Sequence, residues 1–493
     1  MKKLIAMLLA TAFVFGLCAC GGNSGGSTAE TTAAQNGTFR AGFGKADITP
    51  QDPSVPMGGY HSDTSKRMST GLLSYLYAFA VAVQDGEGNT AMLVSVDMCG
   101  MSVTMMDEVR GWAQRELGIP QENIIISSIH QHSTPDPDNA KEETSVRYRN
   151  LLIAELQKAM KAAVEDLAPA EIYVNTVTTE ALSFVRNYWT KNGTMAGTNY
   201  KIDDLTLYGI DRHESDADPE MRLLKFVRQD KNDILMVNFQ AHPHMGTATA
   251  ETKIHSDWPG VMRDAVTEAL GVDCVYFSGA SGNLNSTSRI EEENITTDFK
   301  EHGKRAAEYV IGAEGGYTKV ESGKVACREI TFTYEADHSM DHLLPQATLV
   351  AKADASGSGA SELLKKYPEI HSTFHANAVV NKAKAGATKD LTISAVTFGD
   401  VAFTCHPYEM FDTNGMELRS GTLGNGNYDA EDQLENPFAM TFIATKANAS
   451  MGYIPSRLGY TNGGYSTDIA RYAPGTGEQL VGDYLRLLNE LHG

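Results

Sequence analysis

From Phe39 to His492, short apolar runs alternate with amphipathic stretches, the rhythm of an α/β chain. Tyr75–Gln84 and Thr90–Asp97 read as strands, joined by the hairpin signal Asp85-Gly86-Glu87-Gly88. A helix is predicted over Val103–Leu117, closed by Gly118 with Pro120 just beyond. Asn123–Ser128 is β-branched and reads as a buried strand, and Ser145–Leu167 as a long amphipathic helix. Leu223–Arg228 and Ile234–Gln240 pair around Asp230-Lys231-Asn232-Asp233; a helix over Pro259–Leu270 and a strand over Asp273–Phe277 follow. Leu391–Phe398 and Val401–Cys405 form a hairpin across Gly399-Asp400, Glu409–Arg419 suits a helix, and the small polar run Ala353–Ala360 suits a surface loop. The expected fold is α/β, with mixed β-sheets and flanking helices, in one large domain over residues 39–493. The only candidate boundary falls near residues 320–350.

The N-terminus breaks this rhythm. Lys2 and Lys3 precede an almost wholly apolar run, Leu4 to Leu17, of signal-peptide length and shorter than the roughly 20 residues a membrane-spanning helix needs. Leu17-Cys18-Ala19-Cys20 resembles a bacterial lipobox, in which Cys20 becomes the lipidated first residue of the mature chain; an ordinary signal peptide cut nearby is the alternative. Residues 20–38 are rich in Gly, Ser, Thr and Ala and read as a flexible tether. The expected organisation is therefore a signal peptide over 1–19, a tether over 20–38, and a domain held at the bacterial cell envelope, outside the cytoplasm, by lipid on Cys20.

Charge narrows the partners. With 41 basic and 62 acidic residues the formal charge is −21, and loss of Lys2 and Lys3 with the signal peptide would bring it to −23. No basic stripe is available for phosphate contacts, which argues against nucleic acid, and the sign opposes attraction to anionic lipid. Cys99, Cys274, Cys327 and Cys405 lie far apart and could form up to two disulfides in an oxidising compartment.

Chemistry concentrates at strand ends. His130-Gln131-His132 follows one predicted strand, and His242-Pro243-His244 follows another, with His255 and Asp257 beyond. On an extended segment a His-x-His pair puts both imidazoles on one side. One such pair is readily a hydrogen-bonded loop; two, each ending a separate strand, favour a metal, and neutral imidazole suits zinc. Asp257 and Glu409 are the carboxylate candidates, although Glu409 taken alone reads more readily as a first-turn helix acid. The run Ser278-Gly279-Ala280-Ser281-Gly282-Asn283-Leu284-Asn285 offers Ser281 and Asn285 to a substrate pocket, or is a plain turn. A loop carrying Tyr453, Tyr460 and Tyr465, from a total of 20 tyrosines, suggests a site wall. No Gly-x-Ser-x-Gly elbow, Walker loop or dinucleotide fingerprint is present.

Taken in order, these segments resemble the neutral ceramidase family. The resemblance is carried by Ala41-Gly42-Phe43-Gly44-Lys45-Ala46-Asp47-Ile48-Thr49-Pro50, by Gly58-Gly59-Tyr60, by the two histidine segments, by His406-Pro407-Tyr408-Glu409, and by the spacing of Tyr453, Tyr460 and Tyr465. It implies zinc ligands at His130, His242, Glu409 and Tyr453, oxyanion stabilisation by His132 and Tyr465, and substrate contact at Arg186. The implied reaction is zinc-hydroxide attack on the amide of an N-acylated lipid, releasing amine and fatty acid. Two departures stand out. The position of the family's signature serine is Asn285, which cannot act as a nucleophile, and the family's additional C-terminal β-domain is expected to be missing. Two other readings stay open: a tethered ligand-binding lipoprotein, and an ester or phosphoester hydrolase with a second metal at His244, His255 and Asp257.

Overall fold

The apolar runs assemble into a nine-stranded mixed sheet in the computed structural model, which describes residues 38–60, 64–246, 250–421 and 434–492. The predicted signal peptide, most of the tether and Cys20 lie outside the described residues. From one edge the strands run Asp273–Ser278, Ile234–Phe239, Glu220–Arg228, Ala168–Thr178, Arg40–Asp47, Tyr77–Gln84, Thr90–Val96 and Ile124–Ser128, with Thr318–Val320 added against Ala168–Thr178. The centre is antiparallel, whereas the outermost pair at each edge is parallel. A parallel pair needs a crossover, and the helices Val103–Leu117 and Asp257–Leu270 supply it.

Both faces of the sheet are buried, and side-chain alternation decides what goes where. Ala78, Ala80, Ala82, Met92 and Val94 pack with residues of the helices Val103–Leu117 and Glu143–Glu165. Phe79, Val81 and Val83 point the other way, into a core shared with Phe398, Phe403 and Phe442. Those three belong to a second, four-stranded sheet of Val325–Glu335, Thr388–Phe398, Val401–Cys405 and Met440–Ala444. The glycines of the first strand have a reason: a Cβ on Gly42 or Gly44 would meet the carbonyls of Ala163 or Ala159 at 2.1 and 2.0 Å, so helix Glu143–Glu165 lies directly on the strand.

Met440–Ala444 bridges the two parallel edges. Asn238 hydrogen-bonds Ile443 through both its amide nitrogen and oxygen, and the adjoining Thr445 accepts from the Ser127 hydroxyl. A buried bidentate pair, Arg263 to Asp97 at 2.7 Å twice, ties the two crossover units together. Removing one partner of such a pair costs about 3–5 kcal/mol. The two strand ends that carry the histidines are thereby fixed relative to each other.

Four expectations change. Residues 37–493 form one unit with no division near 320–350. Only the middle of Ala353–Ala360 is loop: helices Leu344–Ala355 and Ala360–Lys366 flank a four-residue turn with positive φ at Gly357 and Gly359. These helices belong to an insertion with its own apolar core of Leu343, Val350, Ile370 and Val379. Glu409 is not a helix acid: Glu409–Met410 is a short strand parallel to Tyr453–Ile454, and the helix begins at Asp412. Cys99, Cys274, Cys327 and Cys405 are all free thiols. Among the described residues no helix is long and apolar enough to cross a membrane.

Candidate metal centre

Just beyond its strand the chain turns sharply at His130, whose φ of 65° departs from the extended geometry expected of His-x-His. A left-handed backbone is costly for a residue with a Cβ and is held here by its neighbours. The His130 N–H donates to Met98 O, and its Nδ1 donates to Cys99 O at 2.8 Å. Toward the other edge His242 follows strand Ile234–Phe239, next to the edge strand, and its Nδ1 faces the carbonyls of Ser281 and Leu284 at 3.0 and 2.9 Å. The two segments touch, since the His132 N–H donates to Pro243 O at 3.2 Å. All four imidazoles line one cavity of about 780 Å³ together with Arg186, Asn285, Glu409, Tyr453 and Tyr465.

A carbonyl oxygen can only accept, so Nδ1 of both His130 and His242 carries the proton. In the neutral rings each Nε2 is then a lone pair. Both lone pairs face the same buried carboxylate oxygen: Glu409 Oε2 lies 3.3 Å from His130 Nε2 and 3.1 Å from His242 Nε2. That oxygen accepts no well-aligned hydrogen bond. Three lone-pair donors converging in a buried place repel one another unless a cation joins them. Without a metal the cluster takes up a proton on His130 instead. Burial would lower the pKa of His130, but the Glu409 carboxylate outweighs it and lifts it to about 9. Burial leaves His242 at about 4, His244 at about 3 and His132 well below the ordinary histidine range. The cluster calls for positive charge between His130, His242 and Glu409, which a divalent cation would supply. These three form a group whose ligand atoms lie within 4.8 Å of one another. Nitrogen and oxygen donors of this kind suit zinc.

The surroundings orient the donors. Glu409 Oε1 takes a hydrogen bond from Lys446 Nζ at 3.1 Å, and the parallel pairing places Tyr453 beside Glu409. Gly282 is required for the close approach, because a Cβ there would meet Glu409 O at 2.6 Å. Arg186 donates from one nitrogen to Gly282 O and Ser466 Oγ, both at 2.7 Å, and hydrogen-bonds Tyr453. Its guanidinium lies 5.3 Å from the Tyr453 ring centre and 5.6 Å from that of Tyr465. Burial raises the pKa of the Tyr453 and Tyr465 phenols. His132 Nε2 lies 3.2 Å from His130 Nε2, while its Nδ1 is buried without a partner. His244 Nε2 lies 3.1 Å from Asn285 Oδ1.

Two residues predicted at the site are elsewhere. Ser281 serves through its backbone carbonyl on His242 and does not line the cavity. Tyr460 faces a different cavity and donates to Tyr472 O at 2.5 Å. The trio His244, His255 and Asp257 does not converge as a second metal group. His255 Nδ1 accepts from the Asp257 N–H, and the Asp257 carboxylate accepts from Gly246 and Trp258. Lys446, conversely, was invisible in the sequence. It follows strand Met440–Ala444 with no motif around it, and only the parallel pairing of that strand with Val401–Cys405 brings it to Glu409.

The chain is similar to known proteins. The sequence model for neutral/alkaline non-lysosomal ceramidase, N-terminal, matches residues 39–271. The neutral ceramidases of Drosophila melanogaster and Drosophila pseudoobscura pseudoobscura are each 31% identical over 100 residues, 20% of this chain and 14% of theirs. The match thus spans only a small part of those relatives. The crystal structure of neutral ceramidase from Pseudomonas aeruginosa superposes with a TM-score of 0.66 at 18% identity, covering 92% of this chain and 75% of that one. A structure described as ceramidase complexed with C2 matches to the same extent.

Proposed function

Since the chain belongs to the neutral/alkaline non-lysosomal ceramidase family through residues 39–271, we propose that it is a zinc-dependent hydrolase that cleaves the amide bond of an N-acylated lipid. The observation that carries this reading is the convergence of two Nδ1-anchored imidazoles on Glu409 Oε2. His130, His242 and Glu409 would hold the ion, with Tyr453 beside them. When bound, zinc supplies a Lewis acid for the acyl carbonyl and acidifies water. The chain's own groups do the rest. His132 has a ring nitrogen not committed to the backbone and can donate to the oxyanion that develops as the amide is attacked. The Tyr465 phenol, kept protonated by burial, is a second donor on the same wall. Arg186 fixes Tyr453 and braces the Gly282 turn against the segment that carries Tyr465.

The test is fatty-acid release from ceramides and N-acyl amino acids in mixed micelles by the full chain reloaded with zinc. Release that is abolished by a chelator and restored by zinc is expected; a zinc-replete, folded protein that cleaves no N-acyl amine would refute the reading. We also propose that lipid on Cys20 tethers the domain at the bacterial envelope, from the apolar run and the Leu17-Cys18-Ala19-Cys20 segment. A Cys20→Ser chain that remains in the membrane fraction would count against this.

A further inference from the structure

One wall of the metal-centre cavity is built from every second residue of a single segment. Asn285, Thr287 and Arg289 line the cavity. Ser286 and Ser288, between them, are bonded elsewhere: the Ser286 hydroxyl donates to His242 O at 2.7 Å, and the Ser288 hydroxyl accepts from the Ile290 N–H at 3.0 Å. The result is a row of three polar side chains on one side of the chain, each with a hydrogen-bond donor to offer. His244 Nε2 engages Asn285 Oδ1 at 3.1 Å, which leaves the Asn285 amide nitrogen for the cavity. The Thr287 hydroxyl comes next, and the Arg289 guanidinium ends the row. The Arg289 backbone is fixed by its N–H donating to Tyr188 Oη at 2.9 Å. Its side chain is exposed, and among the described residues no carboxylate lies within ion-pair distance of the guanidinium.

The neutral amine portion of a ceramide gives this row no charge to meet. Besides the histidines, the other charged groups lining the cavity are Arg186, Glu251 and Glu409. Arg186 is committed to Gly282 O and Ser466 Oγ, and Glu409 to the His130 and His242 cluster. Arg186 and Arg289 balance Glu251 and Glu409, so a divalent ion at the first centre makes the cavity net positive, in a chain whose formal charge is −21. A cleft of that sign draws in an anion.

Resting on the hydrolase reading above, we propose that the cavity takes N-acyl amino acids, with the acyl amide at the metal centre and the carboxylate of the amine portion bound by Asn285, Thr287 and Arg289. One unpaired guanidinium matches one carboxylate, and such charge-assisted hydrogen bonds are roughly twice as strong as neutral ones. Met245, Met451 and Ile469 of the same cavity offer apolar surface to the acyl chain. Hydrolysis adds the hydroxyl of water to the acyl carbon, breaks the carbon–nitrogen bond and leaves the proton on nitrogen, so the products are a fatty acid and an amino acid.

The test compares two compounds with one acyl chain, N-dodecanoylglycine and N-dodecanoylethanolamine, which differ in a carboxylate against a hydroxymethyl group. Binding to the metal-stripped full chain is measured by calorimetry below the onset of micelles, and hydrolysis is followed with the zinc-loaded chain. The glycine conjugate is expected to bind more tightly, and to be cleaved with a higher kcat/KM, by about tenfold or more, the effect of a hydrogen bond to a charged group. The preference should lie mainly in KM and shrink as salt is raised. In Arg289→Gln the ratio between the two compounds is expected to fall to near unity, and Arg289→Lys, which keeps the charge without the planar fork, should restore part of it. Equal affinities in the wild type, binding of neither compound, or a ratio that Arg289→Gln does not change overturns the proposal. If neither compound is cleaved but the glycine conjugate still binds more tightly to the wild type and not to Arg289→Gln, the hydrolase reading fails and the assignment of the ligand class stands.

Discussion

The two His-x-His segments are spelled alike and leave strands toward opposite ends of the strand order of one sheet, yet their members are held differently. In each pair the first histidine gives its Nδ1 proton to a backbone carbonyl, of Cys99 for His130 and of Ser281 and Leu284 for His242. Its Nε2 is thereby aimed at Glu409. The second members differ. His132 has a buried Nδ1 with no partner, and His244 Nε2 meets the side chain of Asn285. Spacing brings four imidazoles to one cavity; carbonyls far away in sequence decide which of them can be ligands. A hydrogen-bonded second ring nitrogen fixes the tautomer and the orientation of a metal-binding histidine.

The largest effect should come from removing an anchored member. His130→Ala or His242→Ala is expected to lose the zinc of this centre and to lower kcat/KM by about a thousandfold or more, since a bound metal stabilises transition-state charge by several kcal/mol. Zinc analysis beside a kinetic assay checks it, and a variant keeping both its zinc and its rate would end the distinction between first and second members. The unanchored His132 should behave differently. His132→Ala is expected to retain zinc while kcat falls about 10²–10³-fold, the usual cost of one oxyanion donor, with KM little changed. Loss of zinc in this variant would make His132 a ligand and collapse the comparison.

The split between pairs also marks how far the residues alone could be read. The strands that deliver the histidines were legible because β-branched runs such as Ile124-Ile125-Ile126 are buried on both faces. The crossover helices were legible from their period and, for the first, from the cap at Gly118, which is left-handed. Glu409 was legible only through a family resemblance, because its local sequence imitates a helix start; a two-residue parallel pairing with Tyr453 overrides that signal. Lys446, the Cys99 carbonyl and the Ser281 carbonyl carry no sequence signal at all. Backbone oxygens belong to every residue, and only tertiary placement turns one into the partner of an imidazole. Tyr460 shows the reverse error, since regular tyrosine spacing suggested one wall and the short helix Arg457–Asn462 turns it toward the other cavity.

The smallest effect expected is at Asn285, where the second pair differs most from the first. Its Oδ1 lies 3.1 Å from His244 Nε2, and both residues line the cavity without reaching the Glu409 cluster. If the pair helps to hold substrate, Asn285→Ala forfeits one neutral hydrogen bond, about 0.5–1.5 kcal/mol. KM should then rise roughly three- to tenfold while zinc content stays the same. Asn285→Asp sharpens the comparison from the other side. It sets a carboxylate against His244, whose pKa burial now holds at about 3, and so gives His244 a charged partner, as Glu409 is to His130 and His242. An opposite charge favours the imidazolium, so the His244 pKa must rise. As pH falls through that raised value His244 becomes charged, and the pH–rate profile should gain an acid-side step that the wild type lacks. Profiles of Asn285→Asp and wild type that superimpose would show that His244 takes no part in what the cavity binds.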